Sequence, residues 1–196
     1  LPAHAILALK SFLYFGHKCK LYCYEEIVNV PAGVEVVDAE DIIPWDNSFL
    51  IQSGFGAGSP APFADWFRFN LLMMTGGTWS DLDVVCLRPW DTLPARFIAT
   101  SLEVPDGPLP NINVVRLTPN DVLARQYIDL WATQRDPSDY ASGVKLMHKA
   151  ISLIDKKPTL MPPSAFNPVS YRNARYLINE PEQFYHHRTL RRLLGR

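Results

Sequence analysis

The stretch Phe63–Asp91, FADWFRFNLLMMTGGTWSDLDVVCLRPWD, decides the fold: an apolar run leads through Gly76-Gly77 to Asp81-Leu82-Asp83. Phe63, Trp66, Phe67, Asn70, Leu71 and Met74 follow helical spacing, while Phe69, Leu72 and Met73 cover much of the other side. A helix apolar nearly all round is buried on most of its faces. Gly76-Gly77 fits its stop, because glycine takes the left-handed conformation without a Cβ penalty. The chain can then turn sharply into a strand carrying the two aspartates.

In an extended segment, side chains at i and i+2 share a face, so Asp81 and Asp83 are expected to converge on one point. Like charges held that close raise one another's pKa unless a cation sits between them or a proton is shared. Mg²⁺ and Mn²⁺ suit carboxylate oxygens and are often held by one or two carboxylates plus the phosphates of a substrate. Such a site is incomplete without its ligand. The alternative is a solvated turn between two strands. Asp65 and Arg68, at i and i+3, are the only charges in the helical segment and can meet on one face. A charged pair on a mostly buried helix is costly, so it either faces a cavity or ligand or forms a structural salt bridge.

The rest of the chain reads as α/β. A helix over Ala3 to Phe15 leads into a strand near Lys20 to Tyr24, and Val34 to Val37 is a second short strand. Gly54, Gly56 and Gly58, then Pro60 and Pro62, make Ser53 to Pro62 a mobile loop. It lacks the Lys and Ser/Thr of a P-loop and the strand-then-helix order of a dinucleotide fingerprint, so it is read chiefly as a flexible lead into the Phe63 helix. Phe97 to Thr100 and Asn113 to Leu117 are further strands. Asn120 to Thr133 forms a helix with Val122, Leu123, Tyr127 and Leu130 inward, followed by a helix over Gly143 to Ile154. Asn113 either approaches the aspartates or caps a turn. No internal repeat or linker divides the chain.

Composition agrees with one domain over residues 1–196. With 47% hydrophobic residues the chain can bury a core, and a net charge of −1 leaves no electrostatic footprint for nucleic acid. The basic cluster Arg188, Arg191, Arg192 and Arg196 is confined to the tail and reads as a solvated or frayed end. No apolar run approaches the roughly twenty residues that span a bilayer. Three cysteines do not make a disulfide framework. Cys19 and Cys23 fall on one strand face and Cys86 on another strand, as buried thiols of a reducing compartment, so a cytoplasmic location is expected.

Taken together, Ala64-Asp65, Arg68, Leu72, Gly76-Gly77, Trp79, Asp81-Leu82-Asp83 and Val84 resemble the pattern of DXD-containing sugar-binding glycosyltransferases, glycosyltransferase family 32 in particular. Ser11-Phe12, Gly16-His17, Leu21-Tyr22 and Pro31-Ala32-Gly33 are similar to the opening helix, second strand and following loop of bacterial members. The resemblance covers Leu1 to about Leu93 well and the remainder weakly. It implies a GT-A fold, a mixed central sheet flanked by helices, and transfer of a sugar with retention from a UDP- or GDP-sugar to a saccharide or glycolipid acceptor. It further implies that Asp81 and Asp83 hold Mn²⁺ or Mg²⁺ and the donor's diphosphate or ribose, while Asp65 and Arg68 contact the donor sugar and its phosphate side. No residue stands out as a covalent nucleophile.

Two departures from the family pattern accompany the resemblance. Nothing before Leu1 supplies the family's first strand, and the closing His-Leu-Trp segment, approached by Phe166-Asn167-Pro168-Val169 and by Asn173 to Pro181, is replaced by Tyr185-His186-His187-Arg188. A fragment lacking parts of both ends is therefore expected, with His186-His187 read mainly as solvated. Two other classes stay open. Asp81-Leu82-Asp83-Val84-Val85 also matches the start of haloacid-dehalogenase-like phosphatases, in which the first aspartate is a nucleophile and the second a general acid. A non-catalytic sugar-nucleotide-binding module is the other.

Overall fold

A computed structural model describes residues 1–104, 107–170 and 173 of the chain. His186-His187, the arginines at 188, 191, 192 and 196, and all of the Asn173 to Pro181 stretch except Asn173 lie outside the described residues.

The opening helix, α1, spans Ala3–Tyr14 and is followed by Gly16, with a φ of 80°, before strand β1, Cys19–Cys23. Strand β2, Val34–Asp38, pairs with β1 in parallel, Cys19 opposite Val34 and Cys23 opposite Asp38. Helix α2 spans Ala61–Thr75, beginning two residues before the apolar run of the sequence. Pro62 sits in its first turn, where a missing N–H costs no intrahelical bond. The glycine segment before it is tied at its base, for Ile51 N–H donates to Ser59 O at 3.1 Å and Gly58 N–H to Ile51 O at 2.9 Å.

Gly76 ends α2, donating its N–H to Leu72 O at 2.9 Å with a φ of +64°. A Cβ there would meet Pro119 N at 2.8 Å, so this position needs glycine for both its backbone and its space. Strand β3, Gly77–Ser80, follows at once. Strands β4, Phe97–Val104, and β5, Gly107–Leu117, form a long antiparallel pair with register irregularities, extending well beyond the two short strands of the sequence reading. Helices α3, Val122–Gln134, and α4, Ser142–Leu153, come next, then the two-residue strand β6, Thr159–Leu160, and the short helix α5, Pro163–Phe166. Asp121 caps α3 by accepting from Leu123 N–H at 2.8 Å.

The larger sheet has the order β3-β5-β4-β6, antiparallel except for the β4–β6 pair, and β1-β2 is a separate sheet. The architecture is mixed α/β, with a mixed-orientation sheet flanked by helices. Alternation along the strands sends side chains to both faces. Ile98, Val115 and Leu117 join Phe69 and Leu72 of α2, Leu123, Tyr127 and Trp131 of α3, and Met147 and Ala150 of α4. Phe97, Ala99 and Val114 face the other way, against Trp90, Cys86, Phe12 of α1 and Phe166 of α5. The remaining side of α2 packs Phe63, Phe67 and Leu71 toward Tyr22 and Tyr24, which links β1-β2 to the rest. Fully burying one such side chain contributes about 1.5–3 kcal/mol.

Three expectations need correction. Val122 points outward at the start of α3, and Ala124 and Trp131 complete the inner face instead. Met74 is exposed, because α2 is open to solvent at its last turn. Cys86 lies in an irregular segment, not a strand, with its N–H donating to Ser11 Oγ at 2.8 Å; it is buried, while Cys19 and Cys23 are half-buried, and all three are free. Among the described residues, no helix is long and apolar enough to cross a membrane.

Candidate functional site

Arg68 is the hub. It is only 6% exposed, although it carries a full charge. Its Nη2 lies 3.1 Å from Asp65 Oδ1 on the preceding turn of α2, and its Nη1 lies 3.3 Å from Asp81 Oδ1 at the end of β3. Nη1 also donates to the Ile112 carbonyl of β5, and Nε to the Ala64 carbonyl at 3.4 Å. The ring of Trp79 covers the guanidinium, 4.9 Å from its centroid, and the indole Nε1–H donates to Asp81 Oδ1 at 2.6 Å. The helix pair is thus a salt bridge, and the same arginine ties it to the Asp-x-Asp segment. A buried charge is tolerable only when paired and hydrogen-bonded in this way.

The two aspartates do not lie on one extended face. β3 ends at Ser80, and the ladder continues for one more bond, Asp81 N–H to Asn113 O at 2.9 Å. Leu82 and Asp83 then form a turn closed by Val84 N–H to Asp81 O at 3.2 Å. The alternation that would place both carboxylates on one side of a strand is therefore lost. Asp81 remains half-buried and Asp83 is exposed, with no hydrogen bond or ion pair among the described residues. The two are still close enough for the Asp83 charge to help push the Asp81 carboxyl up.

Burial is the largest influence on this cluster. It pushes the Asp65 carboxyl up to about 6; the Arg68 charge opposes that shift and Asp81 adds to it. Asp81 is raised for the same first reason, against the lowering effects of Arg68 and the Trp79 indole. One oxygen of Asp81 is already engaged, leaving Oδ2 and the whole Asp83 carboxylate to offer. Two hard oxygen donors at an exposed turn fit Mg²⁺ or Mn²⁺. Among the described residues no group of three or more His, Cys, Asp or Glu side chains could hold a metal. Any such ion would take its remaining ligands from water and a bound phosphate, as the pattern of the sequence implies.

A cavity of about 260 Å³ opens beside Asp81. Ala8, Leu9 and Phe12 of α1 form one wall, Cys19 and Lys20 of β1 another, and Thr78 and Ser80 of β3 a third. Among the described residues β1 pairs only with β2 and β3 only with β5, and both strands line this space. Asp81 lines it, whereas Asp65, Arg68 and Asp83 do not.

Asn113 meets the site through its backbone, and its side chain is occupied elsewhere, donating to Asn167 Oδ1 at 2.7 Å. It sits in mid-strand and caps no turn. The sequence reading assigned no contact to Trp79, although its place two residues before Asp81 was the available signal. Tyr127 and Gly143, read from the sequence only as an inward helix position and a helix start, also reach the site. Among the described residues the buried Tyr127 hydroxyl has no hydrogen-bond partner, and a Cβ on Gly143 would lie 2.9 Å from Asp65 Cγ. Only tertiary packing brings those two to Asp65. No known family model matches the sequence, and no curated protein is detectably similar to it.

Proposed function

We propose that the chain is a glycosyltransferase domain of the GT-A type that binds a UDP- or GDP-sugar through a divalent cation and transfers the sugar to a saccharide or glycolipid acceptor. The observation that carries this reading is the convergence of Arg68 on both Asp65 and Asp81, next to an exposed Asp83. Those are the residues through which the sequence resembles the family. Asp81, through its free oxygen, and Asp83 would hold Mn²⁺ or Mg²⁺. Held there, such an ion would supply Lewis-acid neutralisation of the charge on the departing nucleotide diphosphate. Arg68, fixed by four partners, adds a positive charge behind Asp81 that needs no reorganisation during reaction. In the transfer, the bond from the sugar's anomeric carbon to the diphosphate oxygen breaks and one to the acceptor oxygen forms. The acceptor's proton leaves with the diphosphate, with retention of configuration as the family expectation.

Calorimetric titration of UDP- and GDP-sugars with and without Mn²⁺ tests the proposal, with Asp83→Ala as control. Manganese-dependent binding that Asp83→Ala abolishes is the expected result. Because Asp83 is exposed and has no ion pair among the described residues, the variant should keep its stability within about 0.5 kcal/mol. Binding by a folded wild type that is indifferent to Mn²⁺ and to Asp83 would refute the metal-bridged donor site. An assay for released nucleotide separates a transferase from a binding module.

A further inference from the structure

We propose that Tyr127 and Gly143 are positioning residues for Asp65, which in turn holds Arg68 against Asp81. The proposal rests on reading Arg68 and Asp81 as part of the donor site. Asp65 lies on α2, yet its carboxylate is enclosed by α3 and α4. A Cβ on Gly143, in the first turn of α4, would lie 2.9 Å from Asp65 Cγ, nearer still to Asp65 Oδ2, and 3.2 Å from the Tyr127 hydroxyl. Gly143 has ordinary helical backbone, so its lack of a side chain is not required by φ; alanine would suit the helix better. What requires glycine is the room taken by the carboxylate.

Tyr127 completes the enclosure. Its ring is fixed by Phe69, 4.1 Å between centroids, and by Trp131 at 5.6 Å. Among the described residues its buried hydroxyl has no hydrogen-bond partner, a costly arrangement for packing alone. Burial holds the hydroxyl well above its ordinary pKa, with the nearby Asp65 charge adding to that shift and Arg68 opposing it. Asp65 is therefore walled in on one side and paired with Arg68 on the other. If a ligand draws on Asp81, Asp65 keeps the guanidinium in place. Position in the site thus depends on helices that contribute no residue to the lining of the cavity beside Asp81.

The test uses the full chain labelled with ¹⁵N, with arginine side-chain resonances as the readout and Arg68→Lys to identify the Arg68 signals. In the wild type, its Nη groups have different partners and should give separate, slowly exchanging signals. Gly143→Ala should merge or displace them at unchanged far-UV circular dichroism, and weaken Mn²⁺-dependent binding of UDP by about 10- to 100-fold. In an Asp65→Ala background, where the obstructed carboxylate is gone, Gly143→Ala should shift nothing further. A folded Gly143→Ala with unchanged Arg68 signals and unchanged binding overturns the proposal. Should that variant not fold, Tyr127→Phe removes a single oxygen from the same enclosure and is judged by the same two outcomes. A wild type that takes up no nucleotide, while either variant still displaces the Arg68 signals, leaves the positioning role standing and overturns the donor-site reading.

Discussion

Asp65→Asn should flatten the pH dependence of stability. Burial pushes the Asp65 carboxyl from its ordinary 3.8 up to about 6 in the folded chain, even with Arg68 beside it. The folded state then binds a proton more tightly than the unfolded state does. The stability this provides is fully present below the unfolded value and is lost as pH rises through the folded one. A displacement of roughly two pH units, at about 1.4 kcal/mol each, gives about 3 kcal/mol across the whole window. Between about pH 4.5 and about pH 8 the accessible part is about 2 kcal/mol. Asparagine has nearly the same shape and no titration, so relative to wild type the variant should gain that amount over the same range. Any fixed cost from the altered pairing with Arg68 is independent of pH and cancels in the comparison. Urea unfolding followed by tryptophan fluorescence, extrapolated to water at several pH values, supplies the measurement. Parallel profiles for wild type and Asp65→Asn would refute the placement of an ionised carboxylate in this enclosure.

Two further outcomes follow from the packing. Gly76→Ala forces a side chain onto a φ of +64° and into Pro119, and should lower stability by about 1–3 kcal/mol in thermal unfolding. Asp121→Ala removes both the cap of α3 and a two-pronged pairing with Arg96, at 2.6 and 2.9 Å, and should cost about 3 kcal/mol at neutral pH. Burial raises the Asp121 carboxyl, but Arg96 and the Leu123 N–H outweigh it and hold it below its ordinary value. Its contribution is thus present above the unfolded value and lost as pH falls through the folded one, so the deficit of the variant should shrink in acid, as urea midpoints will show.

Legibility in the sequence followed the range of the physics. α2, its glycine stop and the strand after it are local events, written in an apolar run and two residues without side chains. The i, i+3 pairing of Asp65 with Arg68 was likewise visible, because helical geometry sets it. The turn at Leu82-Asp83 was not. β3 ends where its partner β5 stops accepting after Asn113, which is a matter of tertiary register, while the residues themselves alternate like a strand. The full length of β4 and β5 was hidden for a similar reason. Pro110 and Asn111 carry no strand signal, yet antiparallel pairing recruits them. The enclosure of Asp65 was furthest from reach, since Gly143 is remote in sequence and reads as a poor helix residue until the carboxylate is seen in its space.

The division into two sheets has a mechanical consequence. Among the described residues, no backbone ladder crosses from β1-β2 to β3-β5-β4-β6, so the two are held together by side chains such as Phe67, Tyr22 and Tyr24 and by single contacts such as Trp90 N–H to His17 Nε2. Apolar contacts slide more readily than ladders of hydrogen bonds break. The seam can therefore widen or narrow without loss of secondary structure, and its amides should exchange with solvent more freely than those of the β4–β5 hairpin. Asp81 stands on the wall of that seam. A joint with no shared ladder among the described residues thus borders a carboxylate tied to both Arg68 and Trp79.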